Sequence, residues 1–331
     1  MSQLQQRRIK NNPVRVPNLR NRLNHGKTMF YIPPPVKVNL PPSSPARNPQ
    51  HLHLESPKPP DITHRMNTLS NRLRPLAALA ILLTTPLTHA AEDDGWLTLF
   101  NGKDLSGWTP KFAKHPLGAN PFNTFRIEDG ILKVSYADYP KFDDQYGHLF
   151  TNNPYSHYLF RLEYRFEGKM IPDAPGYVNL NSGIMIHAQS PQSMLPDQAF
   201  PVSLEFQFLA DEGKGKRPTG NVCTPGTHLE IDGKLITQHI VESSAPTFQP
   251  GDWVKIEIEV HGHDQVIHRI NGTEVLRYQK PQLDPACNIS PVAPLLEAGV
   301  PKPLSFGHIA LQAEGQGVWF RNIQLKPLPT P

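Results

Sequence analysis

The chain has 331 residues, with 33 Lys and Arg against 29 Asp and Glu, a net charge of +4. The charge is unevenly placed. Residues 1–65 hold eleven basic and two acidic side chains with twelve of the 37 prolines, whereas residues 91–331 hold 20 basic against 27 acidic, a net charge of −7. The basic balance is thus a property of the leading segment. The remainder offers no electrostatic ground for a nucleic-acid partner.

Residues 1–65 show no helical or strand period and few aliphatic side chains. Such a segment cannot bury enough apolar surface to offset its ordering entropy, and we expect it to be disordered and foreign to the native protein. Met66 opens a different pattern. Arg72 and Arg74 precede the apolar run Leu76-Ala-Ala-Leu-Ala-Ile-Leu-Leu83, and Thr88-His89-Ala90 comes next. Residues 66–90 therefore read as a secretory signal peptide, too short to span a bilayer. We expect translation to start at Met66 and residues 91–331 to form one periplasmic or secreted domain, with no membrane span after signal cleavage. An exported chain with only Cys223 and Cys287 has room for one disulfide, and the sequence leaves that pairing and the oligomeric state open.

From Gly95 onward the signals are for strands. Phe125-Arg-Ile-Glu and Ile131-Leu-Lys-Val flank Asp129-Gly130, a hairpin turn signal. In Leu159–Phe166 the residues Phe160, Leu162, Tyr164 and Phe166 alternate with Arg161, Glu163 and Arg165. Asn181–His187 puts Ile184 and Ile186 opposite Met185 and His187, and Val202–Phe208 puts Glu205 and Gln207 opposite four apolar residues. Trp253–Val260 alternates, Asn271-Gly272 joins two further strands, and Ile309–Gln312 and Val318–Ile323 close the series. Residues 115–123, 191–198 and 213–225 read as loops. Short alternating strands divided by turns predict an all-β protein, an antiparallel two-sheet β-sandwich of the jelly-roll type.

One sheet of a jelly roll is often concave, so polar side chains alternating off its strands gather in a groove. The candidates are Glu163, Arg165, His187, Glu205, Gln207, Gln312, Glu314 and Arg321. Taken singly, each is more often part of a solvated sheet face, and Glu257 and Glu259 beside Lys255 fit that description. Glu205 stands out because it interrupts a very apolar run, which raises a carboxyl pKa and suits acid–base work. His187 is its expected partner. Trp319 is the best candidate for stacking on a sugar ring, whereas Trp96, Trp108 and Trp253 read as packing residues. No cofactor is required by these motifs. A structural Ca²⁺ is not indicated, since the nearest acidic pair, Asp143-Asp144, reads as solvated.

Several stretches together resemble the 3-keto-disaccharide hydrolase domain family. They are Gly95-Trp-Leu-Thr-Leu-Phe-Asn-Gly-Lys-Asp-Leu-Ser-Gly-Trp108, Asn181-Ser-Gly-Ile184, Leu204-Glu-Phe-Gln207, Cys223-Thr-Pro-Gly226, Gly251-Asp-Trp253, and Ile309-Ala-Leu-Gln-Ala-Glu-Gly315 leading into Phe320-Arg-Asn-Ile323. The resemblance covers residues 95–328 and implies a concanavalin A-like lectin/glucanase fold and an exported enzyme that cleaves glycosides oxidised to a ketone at C3. Some members carry an acidic residue followed by His in the closing strand, where this chain has Ala313-Glu314. The ketone acidifies the C2 hydrogen, so elimination of the C1 substituent and hydration need a base, an acid and donors for the enolate. Glu205 and His187 are the expected catalytic residues. Gln207, Arg165, Glu163, Gln312, Glu314, Arg321 and Trp319 are the expected contacts to a carbohydrate substrate. Retaining glucanases use two closely spaced acids, but Glu205-Phe206-Gln207 has an amide at the second position, which argues against that route. The alternative is a non-catalytic carbohydrate-binding or adhesion module of the cell envelope.

Overall fold

The computed structural model describes residues 94–330. The expectations for residues 1–65 and for the signal peptide lie outside the described residues. Among those described, the strands in chain order are β1 (Leu97–Thr98), β2 (Trp108–Phe112), β3 (Phe125–Glu128), β4 (Ile131–Val134), β5 (Gly147–Thr151), β6 (His157–Phe166) and β7 (Asn181–Ala188). They continue with β8 (Leu204–Leu209), β9 (Asn221–Cys223), β10 (Thr227–Ile231), β11 (Lys234–Ile236), β12 (Ile240–Val241), β13 (Val254–His261) and β14 (Gln265–Ile270). Last come β15 (Thr273–Leu283), the short helix α1 (Ala293–Glu297), β16 (His308–Ala313) and β17 (Val318–Pro327).

Every strand pairing is antiparallel, and the strands form two sheets. One has the order β11-β10-β15-β14-β13-β6-β17-β4-β3 with β1 also on β17. The other has the order β12-β9-β8-β7-β16-β5-β2. This is the expected β-sandwich. Asp129-Gly130 and Asn271-Gly272 sit at the two expected hairpins, and all four residues take positive φ, from 50° to 82°. That is the backbone a two-residue turn with the right strand twist demands. The stretch 213–225, read as a loop, holds strand β9, whose three residues are too few to show alternation.

The core lies between the sheets. Phe160, Leu162 and Tyr164 of β6, Ile256 and Ile258 of β13 and Phe320 of β17 meet Ile184 and Ile186 of β7, Leu204, Phe206 and Phe208 of β8 and Leu311 of β16. Tyr164 stacks on Phe208 with ring centroids 4.0 Å apart, and its hydroxyl pairs with Thr219 Oγ1 at 2.7 Å, so burial leaves no unpaired phenol. Among the described residues no helix is long and apolar enough to cross a membrane.

Candidate active site

With the apolar residues of β7, β8 and β16 turned into the core, the intervening residues face the opposite side of the seven-stranded sheet. The registers then set which of them meet. Met185 on β7 lies opposite Glu205 on β8, and Glu205 opposite Cys223 on β9. One level along, Gly183, Gln207 and Asn221 form the next row. Leu311 of β16 lies opposite Ile184 of β7, so Gln312 and Glu314 flank β7 on its other side. Loops wall this face into a hollow of about 510 Å³, lined by Glu205, Gln207, Asn181, Asn221, Cys223 and Glu314, with Tyr177 and Phe200 as aromatic walls.

Glu205 is 7% exposed and Glu314 4%. Burial pushes the Glu205 carboxyl up to about 8, opposed only by the hydrogen bond that the Cys223 thiol donates to it. Burial, and then the negative charge of Glu205, hold Glu314 well above the usual carboxylate range. Two carboxyls that feel each other in a dry setting cannot both ionise at neutral pH, so the pair retains a proton. The same burial and the two carboxyls push the Cys223 thiol up as well, so it is a neutral donor rather than a thiolate.

Gly183 makes the pair possible. A Cβ on it would overlap Glu205 Oε1 and stand 2.6 Å from Glu205 Cγ. The absent side chain is the lane through which Glu205 lies over β7 toward β16. A glycine inside a strand commonly marks such an approach, and this was the available sequence signal. An amide chain forms the floor. Asn221 Nδ2 donates to Gln207 Oε1 at 3.0 Å, Gln207 Nε2 to Asn181 Oδ1 at 3.2 Å, and Asn181 Nδ2 to the Tyr177 carbonyl at 3.2 Å. Gln207 therefore shapes the site while its own polar atoms are engaged. Gln312 Oε1 and Glu314 Oε2 have no partner within the protein. His148 on β5 lies opposite Gln312 and is fully buried, and burial lowers it to about 3.

The structure thus brings Glu205, Gln207 and Glu314 to one hollow, leaves Gln312 buried on β16 at 1% exposure and outside the lining, and separates the other expected residues from them. His187 is turned away. It sits at φ 47° where the β7–β16 register shifts at a bulge, and its Nε2 lies 3.0 Å from the Gly262 carbonyl. A bulge inserts one residue and reverses the facing of the residues beyond it, so alternation counted from Ile184 fails at His187. Glu163, Arg165, Trp319 and Arg321 lie on β6 and β17, in the other sheet, on its outward face. There Arg321 binds Glu163 with Nη2 at 2.6 Å from Oε2. Arg321 also covers Trp253 at 4.0 Å, and Arg165 and Lys133 cover Trp319 at 4.4 and 4.0 Å. Trp319 is thus occupied by cations. Alternation tells which residues share a face of one strand. It does not tell which sheet the strand joins, and here the whole core stands between the two groups.

Sequence reasoning missed Tyr177, Phe200, Asn181, Asn221 and the place of Cys223 in the lining of the hollow. Tyr177 and Phe200 come from irregular segments that carry no period. Both cysteines are free thiols, Cys223 at the site and Cys287 accepting from the Gly226 N–H at 3.1 Å. Asp143 is tied to Lys114 and Lys141. Among the described residues no group of three or more His, Cys, Asp or Glu is placed to hold a metal ion.

Residues 95–326 match the family described as the 3-keto-alpha-glucoside-1,2-lyase-like domain. A 3-keto-disaccharide hydrolase from Bacteroides thetaiotaomicron is 25% identical over 250 residues, covering 71% of this chain and 79% of that protein. Among solved structures, a candidate glycosyl hydrolase from Parabacteroides distasonis is 20% identical with a TM-score of 0.45, covering 73% of this chain and 98% of that one. The carbohydrate-binding module CBM66 from Bacillus subtilis is 8% identical with a TM-score of 0.36, covering 66% and 95%.

Proposed function

We propose, on the premise that the chain belongs to the 3-keto-alpha-glucoside-1,2-lyase-like domain family, that it is an exported enzyme cleaving 3-keto glycosides and 3-keto disaccharides by elimination and hydration. The observation that carries this reading is the buried Glu205 and Glu314 pair, two carboxyls both raised by burial in one walled hollow. In its singly ionised form the pair contains both an acid and a base. The base removes the C2 hydrogen that the C3 ketone acidifies. The C2–H electrons become the C1–C2 double bond, the C1–O bond breaks, and the acid protonates the leaving oxygen. Water then adds at C1. The Cys223 thiol lines the hollow beside Glu205 and is suited to orient the ring.

The same pair supports a second reading. The second acid is absent at position 207 but present as Glu314, one residue past the end of β16 and across β7 from Glu205, so the sequence argument against a two-carboxylate glycosidase loses its force. In that mechanism one carboxylate attacks C1 and the other acts as acid and then base.

Incubation with 3-keto-trehalose and 3-keto-glucosides, beside the unoxidised parents, separates the readings. Turnover of the keto sugars alone is expected. Turnover of the parents would favour double displacement, and binding of plain glycans without turnover would favour a binding module. For the elimination route, kcat/KM is expected to rise with pH through an inflection well above the ordinary carboxylate value, because the first proton must leave a pair that holds it tightly. An inflection near 4.5 would contradict the buried pair. Export is part of the same proposal. N-terminal sequencing of the native protein is expected to read from Ala91, and a native chain retaining residues 1–65 would overturn it.

A further inference from the structure

Elimination needs a third group besides an acid and a base. When the C2 hydrogen leaves, negative charge builds on the C3 oxygen, and a donor held there lowers the barrier. Most donors that line the carboxylate hollow are already engaged. Asn221 Nδ2 donates to Gln207 Oε1 and to the Pro218 carbonyl, both at 3.0 Å. Arg217 donates to the Leu180 carbonyl at 3.0 Å and to the Ala210 and Asn179 carbonyls at 2.9 Å. The Cys223 thiol donates to Glu205, and His239 faces the Thr224 carbonyl. Tyr177 is different.

The Tyr177 hydroxyl lies 2.5 Å from the hydroxyl of Tyr146, the residue before β5. Two phenols carry two protons, and only one of them can lie between the oxygens. Burial decides which. Tyr146 is 5% exposed, with Phe142 and Phe200 packed on it at ring-centroid distances of 4.9 Å. If Tyr146 accepted the bond, its own proton would be buried without an acceptor, which polar groups avoid. Tyr146 therefore donates, and Tyr177, 55% exposed on the wall of the hollow, keeps its O–H free. The acidities agree. Burial raises both phenols, and their bond raises Tyr146 further and lowers Tyr177, as befits donor and acceptor. The charge of Glu314 raises both as well, so the phenols lie within the field of the carboxyl pair. The wall is also fixed. Residues Gly176–Val178 form a single 3₁₀ turn, and the Tyr177 carbonyl accepts from Asn181 Nδ2 in the amide floor.

We propose that the Tyr177 hydroxyl donates to the C3 oxygen of the bound keto sugar and holds the enolate formed there, with Tyr146 as the residue that positions it. The inference rests on the keto-sugar reading and adds the group that holds the charge. As the base takes the C2 proton, the C2–H electrons form a C2–C3 double bond and the carbonyl pair moves onto the C3 oxygen. Tyr177 shares its proton with that oxygen without giving it up. The pair then returns to re-form the ketone, the C1–C2 double bond forms and the C1–O bond breaks. The test uses the full protein with 3-keto-trehalose and, in deuterium oxide, with the 3-keto derivative of 1-deoxyglucopyranose. The second sugar has nothing to expel from C1, so deuterium uptake at C2 reports enolate formation alone. Tyr177→Phe keeps the ring and is expected to lower kcat and C2 exchange together by about 10²–10³-fold, with little change in KM. Tyr146→Phe should lower both by about 10-fold. The double variant should be no slower than Tyr177→Phe, because Tyr146 acts only through Tyr177. Unchanged exchange in Tyr177→Phe, or a raised KM at unchanged kcat, would sink the donor role and leave the keto-sugar reading standing. Additive losses in the double variant would overturn the positioning role of Tyr146. Should Tyr146→Phe fail to fold, Tyr177→Phe decides alone. A wild-type protein that neither turns over the keto sugar nor exchanges C2 would defeat that reading and this donor with it.

Discussion

Glu205→Gln is expected to lower turnover of a 3-keto disaccharide by about 10²–10⁴-fold, the usual cost of removing a general acid or base, while making the protein more stable at alkaline pH. Both effects come from the same burial. Glu205 is 7% exposed on the hollow side of a strand whose other face is packed with Leu204, Phe206 and Phe208. Its carboxyl is raised to about 8. A carboxyl raised on folding holds its proton more tightly in the native state. Its contribution favours the fold below the ordinary carboxylate value and is lost as pH rises through about 8. The amide that replaces it cannot ionise in either state and escapes that loss. The gain should be near zero at about pH 4 and grow to several kcal/mol, on the order of 5, above about pH 8. Denaturant midpoints at about pH 4 and about pH 9, either side of that titration, test both halves when turnover is measured on the same preparations. Retained turnover would remove Glu205 from the chemistry. A stability difference that does not change with pH would mean that its carboxyl is not held protonated.

Gly183→Ala is expected to be the most damaging single methyl group at the site. Gly183 is not in the left-handed region, so its backbone accepts alanine, and an unobstructed Gly→Ala change of this kind gains about 0.4–1 kcal/mol through the unfolded state. Here the new Cβ would instead overlap Glu205 Oε1 and crowd its Cγ and Cδ at 2.6 and 2.8 Å. Glu205 cannot swing freely, with Cys223 beside it and Met185 opposite. Overpacking of this sort costs about 1–3 kcal/mol, and the displaced carboxyl should lower kcat by about 10²-fold. Repeating the substitution in a Glu205→Ala background isolates the cause. There it should be neutral or stabilising, because the crowded group is gone. An equal cost in both backgrounds would place the strain in the strand and not in the contact with Glu205.

The site was legible where it depended on one strand and illegible where it depended on two. Glu205 could be singled out because its neighbours Leu204 and Phe206 announce a buried strand. Glu314 was recognised only as a polar residue in the closing strand. Its pairing with Glu205 depends on β7 lying between β8 and β16 and on the single bare position, Gly183, that lets the carboxyls approach. His187 misled because alternation assumes an unbroken strand, and the bulge opposite His308 and Ala310 breaks it. Glu163, Arg165, Trp319 and Arg321 misled for another reason. Their alternation was read correctly, but an outward face on one sheet and a hollow face on the other look alike along the chain.

The sequence alone determined what is local: the period of two that makes strands, the Asp129-Gly130 and Asn271-Gly272 turns, the apolar residues of each strand, and the all-β sandwich that these require. Those properties arise from backbone sterics and side-chain burial within a few residues. The tertiary structure decided which strands became neighbours, and with them which carboxyl faces Glu205, which histidine leaves the site and which tryptophans are covered by arginine. These outcomes depend on sheet order and register across long separations, where a single inserted residue exchanges one face for the other.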